Sequence, residues 1–285
     1  MAVMMTGVPV RDAVLDDVRA RVAKLAESHR PPHLATLLVG ENPDSASYVR
    51  MKLKLCDELG ITSTHTQLPA SATQQEVDAT IDRLNDDDTI DAVLYQYPPQ
   101  GDTDYWRSLL RLDPDKDVDG LHPVNIGRLA LDLPGPVPCT PKGIETLLAH
   151  YEVPVAGRQV VIMGRGVTLG RPLSLLLSQK RPTANAAVTL VHTGVPDWME
   201  YTREADIVVS AAGVPGILKP EHIKAGGVVV GAGAQYRGKR ILPDVDEACE
   251  EVAGWITPRV GGVGPTTLAM LMANCVAAAE RKLLK

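Results

Sequence analysis

The sequence predicts a two-domain α/β protein in which parallel sheets are covered by helices. Three observations predict it. Short apolar runs rich in Val, Ile and Leu alternate with longer amphipathic stretches. A glycine-rich turn follows one such run directly and opens a helical pattern. The 285 residues suit about two domains, and a Pro/Gly-rich stretch, Leu133-Pro134-Gly135-Pro136-Val137-Pro138, interrupts the pattern near the middle.

Taken in order, His33–Val39 reads as a strand and Ser45–Leu59 as a helix ending at Gly60. Thr64–Leu68 is a second strand, Thr73–Leu84 a helix with Thr73 as its cap, and Asp91–Tyr95 a third strand. Past the junction, Thr140-Pro141-Lys142-Gly143 opens a helix with proline at its first position. Strands follow at Gln159–Met163, Ala187–Val191, Asp206–Ser210 and Gly227–Val230. Their near-continuous β-branched runs suit strands covered on both faces. Pro265–Lys285 is one long helical pattern that is expected to return to the first domain.

Hydrophobic residues make up 45% of the chain and charged residues 22%, which supports buried cores and argues against disorder. Phenylalanine is absent, so those cores must come from Leu, Val, Ile, Ala and Met. A formal net charge of −6 without a basic run argues against a nucleic-acid partner. Cys56, Cys139, Cys249 and Cys275 form neither CxxC pairs nor a dense disulfide pattern, and read as reduced thiols of a cytoplasmic protein. There is no basic segment followed by an apolar one at the start, and no run of about 18 apolar residues. The expectation is a protein neither exported nor membrane-spanning.

Gly164-Arg165-Gly166-Val167-Thr168-Leu169-Gly170 follows the strand Gln159–Met163 and precedes a helix near Arg171-Pro172. Glycines there let backbone amides approach a pyrophosphate at a helix N-terminus, so the turn predicts a dinucleotide site. An NAD site usually closes its second strand with a carboxylate for the ribose 2′-hydroxyl. Here that strand ends His192-Thr193, and Arg165 stands in the turn, which favours NADP. His192 reads equally as a cofactor group or as a packed core histidine.

In the first half, Tyr48 and Lys52 are four apart on a predicted helix and share a face. Gln96 leaves the end of the strand Asp91–Tyr95, where open α/β sheets place ligand groups. Asp115-Lys116-Asp117-Val118-Asp119-Gly120 crowds charges into a loop, and Gly261-Gly262-Val263-Gly264-Pro265 is a second glycine-rich loop.

Ser45-Ala46-Ser47-Tyr48-Val49-Arg50-Met51-Lys52 with Gly60-Ile61, Lys116-Asp117-Val118-Asp119-Gly120-Leu121-His122-Pro123, Pro138-Cys139-Thr140-Pro141-Lys142-Gly143, and Gly261-Gly262-Val263-Gly264-Pro265 occur in this order. Together they resemble the bifunctional methylenetetrahydrofolate dehydrogenase/cyclohydrolase family. The resemblance implies a homodimer with a folate-binding catalytic domain at 1–139, on which helix 266–285 packs back. It also implies a Rossmann NADP-binding domain at 140–265 and an active-site cleft between the two. It implies oxidation of 5,10-methylenetetrahydrofolate with NADP to the 5,10-methenyl form and hydrolysis to 10-formyltetrahydrofolate, with no metal. By the same resemblance Lys52 is the general acid/base, Gln96 holds Lys52, Tyr48 stacks on or hydrogen-bonds the substrate, and Asp119 accepts from the pterin edge. Gly262 and Pro265 fall to the folate. Gly164, Arg165 and Gly166 fall to the cofactor phosphates, Thr193 to the 2′-phosphate and Ala234 to the nicotinamide end.

The chain departs from the family's usual pattern at four places. Gly164-Arg165-Gly166 replaces Gly-Arg-Ser and loses a hydroxyl, whereas Thr193 replaces a serine and keeps one. Tyr97-Pro98-Pro99-Gln100 replaces Leu-Pro-Leu-Pro after Gln96. Gly231-Ala232-Gly233 replaces Asp-Val-Gly, and Arg259-Val260 replaces Val-Pro. These departures leave two alternatives: an enzyme with one activity or a related one-carbon folate substrate, and a non-catalytic folate or nucleotide binder.

Overall fold

The structure, a computed structural model, describes residues 2–237 and 240–284, apart from the side chains of residues 43–46, 236, 237 and 240. Ser45 and Ala46 therefore lie outside the described side chains, and Lys285 of the expected final helix lies outside the described residues. The first half runs β1 (Val3–Met4), α1 (Gly7–Ser28), β2 (His33–Val39), α2 (Pro43–Leu59), β3 (Thr62–Leu68), α3 (Gln74–Asp86), β4 (Ala92–Tyr95), α4 (Tyr105–Leu109) and α5 (Pro123–Ala130). The second half runs α6 (Cys139–His150), β5 (Gln159–Met163), α7 (Gly170–Leu177), β6 (Ala187–Val191), α8 (Trp198–Glu204), β7 (Ile207–Ser210), β8 (Val228–Gly231), β9 (Ala234–Arg237), β10 (Arg240–Pro243), β11 (Trp255–Ile256) and α9 (Val263–Leu283).

The described chain divides into two compact units. One holds Ala13–Arg128, Leu133–Val137 and the chain from Leu271 onward. Its parallel sheet has the order β3-β2-β4. All seven residues of β2 are buried, as a central strand requires, whereas no residue of the Thr-rich edge strand β3 is fully buried. An isolated parallel bridge from Val93 to Asp117 extends the sheet beyond β4. Leu37, Val39, Val77, Ile81, Val93, Tyr95, Tyr105 and Leu112 share one core. Helix α3 starts from a capping box, in which Thr73 N–H donates to Glu76 Oε2 (2.7 Å) and Glu76 N–H to Thr73 Oγ1 (3.3 Å). Within this unit Asn274 of α9 donates to the carbonyls of Val118 and Val137, both at 3.0 Å, and Arg21 forks onto Glu280 (3.0 and 2.6 Å).

The other unit holds the chain up to Asp12, Leu129–Asp132 and Pro138–Met270. Its six-stranded sheet, β1-β11-β8-β7-β5-β6, is parallel throughout. Helices α6 and α9 start slightly earlier than the sequence suggests, at Cys139 and Val263, because Pro141 and Pro265 fit within a first helical turn. Among the described residues no helix is long and apolar enough to cross a membrane.

Candidate active site

In the first of these units, β2 leads through α2 to β3 on one side, and β3 leads through α3 to β4 on the other. The loops after β2 and β4 therefore diverge, and such a switch point opens a crevice at the carboxyl ends of the strands. Gln96 is the first residue past β4, and its N–H still donates to Leu37 O of β2 at 2.9 Å. Its side-chain Nε2 donates to Tyr97 O at 2.9 Å, which fixes the amide and turns Oε1 toward α2. Lys52 Nζ donates to that oxygen at 2.9 Å. Tyr48 stands one turn before Lys52 on the same helix face, with 42% of its surface exposed.

Asp119 follows a segment that pairs with β4. The parallel bridge sets Asp117 beside Val93, and Asp119, two residues further on, lies close enough to Tyr105 for its charge to act on the ring hydroxyl. Asp117 builds the turn beyond it, accepting N–H bonds from Gly120 (3.1 Å) and His122 (2.8 Å) and one from the Asn125 side chain (2.9 Å). Burial pushes the Asp117 carboxyl up to about 6, against the downward pull of those donors. Lys116, also buried, donates to the carbonyls of Leu84 (3.0 Å), Asn85 (2.6 Å) and Asp87 (2.9 Å) at the C-terminus of α3. Its charge caps a helix and faces away from the Lys52–Gln96 chemistry.

Four of the chain's ten aromatic residues gather beside Gln96. Tyr95 and Tyr105 stack at 4.6 Å, Tyr97 meets Tyr105 edge-on at 4.8 Å, and Trp106 lies 6.0 Å from Tyr97. The Tyr97–Pro98 peptide bond is cis. Burial raises the Tyr105 hydroxyl well above its ordinary range, and the nearby charges of Asp119 and Asp117 add to it. Tyr95 and Tyr97 are visible in the sequence as neighbours of Gln96. Tyr105 and Trp106 are not, and the Tyr-Trp pair following Asp104, which caps α4, is the only hint.

The other unit repeats the device. From β5 the chain passes through α7 to β6 on one side, and β6 leads through α8 to β7 on the other. Gly164 leaves β5 with φ +115°, and a Cβ there would stand 2.8 Å from the Ala211 carbonyl carbon. A Cβ on Gly170 would stand 2.8 Å from the Gly164 carbonyl carbon, whereas Gly166 has open space around it. This close backbone cradle is what a pyrophosphate needs. Arg165 is exposed on the turn, and Thr193 is exposed just past β6. His192 Nδ1 accepts from Gly194 N–H at 3.1 Å, and its Nε2 lies 3.4 Å from Arg165 Nη1.

Ala234 opens β9 beyond the carboxyl end of β8. Next to it lies a residue the sequence reading overlooks. Asp244 is fully buried, and its Oδ2 accepts from Ser210 Oγ (3.0 Å), Ala212 N–H (2.8 Å) and Gly213 N–H (3.0 Å). It thereby ties the turn after β7 to the β9–β10 hairpin. Gly262 and Pro265 sit at the start of α9, where Gly7 N–H donates to Gly261 O at 2.7 Å. The structure thus gathers Lys52, Gln96 and Asp119 at one strand-end crevice, with Tyr48 on the helix face that carries Lys52. Gly164, Arg165, Gly166 and Thr193 gather at the other, and the glycine cradle with its cationic flank fits a phosphorylated dinucleotide.

Comparison with known proteins agrees with both halves. Residues 5–119 match the model of the tetrahydrofolate dehydrogenase/cyclohydrolase catalytic domain, and residues 138–283 match that of the NAD(P)-binding domain of the same enzymes. The chain is 57% identical to bifunctional protein FolD 1 of Salinispora tropica over 97% of its own length and 90% of that protein. The crystal structure of the bifunctional enzyme FolD from Campylobacter jejuni is 36% identical, with a TM-score of 0.94 over 99% of this chain and all of that one. The Trypanosoma brucei methylenetetrahydrofolate dehydrogenase-cyclohydrolase, solved with NADP cofactor and inhibitor, is 34% identical, with a TM-score of 0.93 over 100% and 99% of the two chains.

Proposed function

The chain belongs to the tetrahydrofolate dehydrogenase/cyclohydrolase family, and from that premise we propose how its residues divide two consecutive reactions. It is a bifunctional enzyme that oxidises 5,10-methylenetetrahydrofolate with NADP and hydrolyses the 5,10-methenyl product to 10-formyltetrahydrofolate. The residues around Lys52 act on the folate, and those around Gly164 hold the cofactor.

When bound, NADP supplies the hydride acceptor. The protein's part in that step is alignment, with Gly164, Arg165 and Gly166 on the phosphates, Thr193 at the 2′-phosphate and Ala234 at the nicotinamide end. In the second step water adds to the methenyl carbon, Lys52 Nζ takes one proton from that water and delivers it to the departing ring nitrogen as the C–N bond breaks, and the remaining hydroxyl proton passes to solvent as the formyl C=O forms. The single observation that carries this role is the 2.9 Å bond between Lys52 Nζ and Gln96 Oε1. A carbonyl oxygen accepts equally from an ammonium and from an amine, so Gln96 keeps Nζ aimed in both protonation states. Asp119 offers a carboxylate to the paired N–H groups of the pterin edge, and Tyr48 lies against the folate from α2. Gly262 and Pro265 contribute the folate contact of the final glycine loop.

We also propose that the two units act as a folate-binding catalytic domain and an NADP-binding domain, in a homodimer, in the cytoplasm. Supporting the last point, Cys56, Cys139, Cys249 and Cys275 are all free and buried, as suits a reducing compartment. The test is an absorbance assay on purified protein with methylenetetrahydrofolate, run in parallel with NADP and NAD. NADPH formation followed by decay of the methenyl band is the expected result. Absence of both oxidation and methenyl hydrolysis would overturn the assignment.

A further inference from the structure

The hydrogen-bond donors at the carboxyl ends of β5 and β6 extend beyond Arg165 and Thr193. We propose that His192 is a second N–H donor to the 2′-phosphate of NADP, working with Arg165 as a two-armed fork. This inference rests on the NADP reading above and adds a residue to it.

The placement follows from strand register. β5 and β6 are parallel neighbours with Met163 beside Val191, so Arg165 and His192 lie two and one residues past paired strand ends. The chemistry follows from the hydrogen bonds. His192 Nδ1 accepts the Gly194 N–H at 3.1 Å, and an accepting ring nitrogen carries no proton. The proton of the neutral ring is thereby assigned to Nε2. Arg165 Nη1 lies within hydrogen-bond reach of that nitrogen, at 3.4 Å, but its N–H could donate there only in the other tautomer, which would set an Nδ1 proton against the Gly194 N–H. With the ring proton on Nε2 both groups are donors, and an acceptor that both can reach completes the arrangement. No carboxylate stands at this strand end, since His192 is followed by Thr193 and Gly194. A phosphate offers several charged oxygens to two such donors, whereas a ribose hydroxyl offers one neutral oxygen and forms weaker bonds. The Gly194 bond has a second effect: it fixes the ring so that Nε2 faces Arg165.

Two isosteric variants separate the two ring nitrogens. His192→Asn keeps an acceptor near Nδ1 and loses the Nε2 donor. His192→Gln keeps a donor near Nε2 and loses the Gly194 contact. Binding of adenosine 2′,5′-bisphosphate and of 5′-AMP to the full-length protein is measured by titration calorimetry. Loss of a hydrogen bond to a charged group predicts that His192→Asn weakens the bisphosphate by about tenfold or more, with 5′-AMP unchanged. His192→Gln should recover most of that loss.

Wild-type affinity for the bisphosphate in His192→Asn would overturn the proposal. So would an equal loss of both ligands in the two variants, because that marks a purely structural histidine. If the wild-type protein itself binds the bisphosphate no better than 5′-AMP, the NADP reading fails instead.

Discussion

Gly164 and Gly166 stand two residues apart in one turn, yet the structure predicts opposite outcomes for the same substitution. At Gly164, φ is +115° and a Cβ would stand 2.8 Å from the Ala211 carbonyl carbon, closer still to its oxygen. Left-handed backbone strain in a residue with a side chain costs about 1–3 kcal/mol, and forced overpacking about 1–3 more. Gly164→Ala should therefore destabilise the nucleotide unit by about 2–6 kcal/mol, a fall in Tm of roughly 4–24 °C. It should also weaken NADP, since Ala211 must move. Gly166 has nothing within 4 Å of an added Cβ and no left-handed φ. Gly166→Ala should leave stability unchanged or raise it by about 0.4–1 kcal/mol, through the lost freedom of the unfolded chain. The assay is scanning calorimetry of both variants with and without NADP. Melting of Gly164→Ala within about 1 °C of wild type, or a fall in Gly166→Ala as large as in Gly164→Ala, would contradict the two predicted backbone environments.

Three further outcomes follow from the folate unit. Burial raises the Asp117 carboxyl from 3.8 to about 6, so between those values the folded chain holds a proton that the unfolded chain has released. That contribution to stability is fully present below about pH 4 and is lost as pH rises to about 6, on the order of 3 kcal/mol. In urea titrations wild type should therefore lose stability relative to Asp117→Asn over this window, and a constant difference would contradict it. Lys116→Met removes three bonds to the carbonyls of Leu84, Asn85 and Asp87 and should cost about 2–4 kcal/mol in urea unfolding. Tyr97→Ala, which opens the aromatic wall beside Gln96, should raise KM for the folate about 3- to 10-fold with the Kd for NADP unchanged, as steady-state kinetics and calorimetry would show.

Much of this architecture is legible in local pattern. β2, β5, β7 and β8 are largely apolar runs, and each emerges as a strand buried along most of its length. Lys52 and Gln96 come together because one sits on a helix face and the other at a strand end, and both positions are local properties. Helix α1 goes unpredicted: Gly7 and Pro9 at its start hide the buried stripe of Val10, Leu15, Val18, Val22 and Leu25. The role of Asp244 is illegible because its partner Ser210 lies 34 residues away and the pairing exists only in the folded sheet. The same holds for Lys116, which reads as one charge in a solvated acidic loop until α3 brings three carbonyls to it. The absence of phenylalanine finds its counterpart at Gln96, where tyrosine and tryptophan rings supply the aromatic packing.

The most direct test of the central claim is hydrolysis of 5,10-methenyltetrahydrofolate by Lys52→Met, measured beside the variant's Kd for NADP. If Lys52 moves the proton in the second reaction, hydrolysis falls by about 10²–10⁴-fold, the usual contribution of a positioned acid/base, while NADP binds as in wild type. Hydrolysis at the wild-type rate in Lys52→Met would contradict the account.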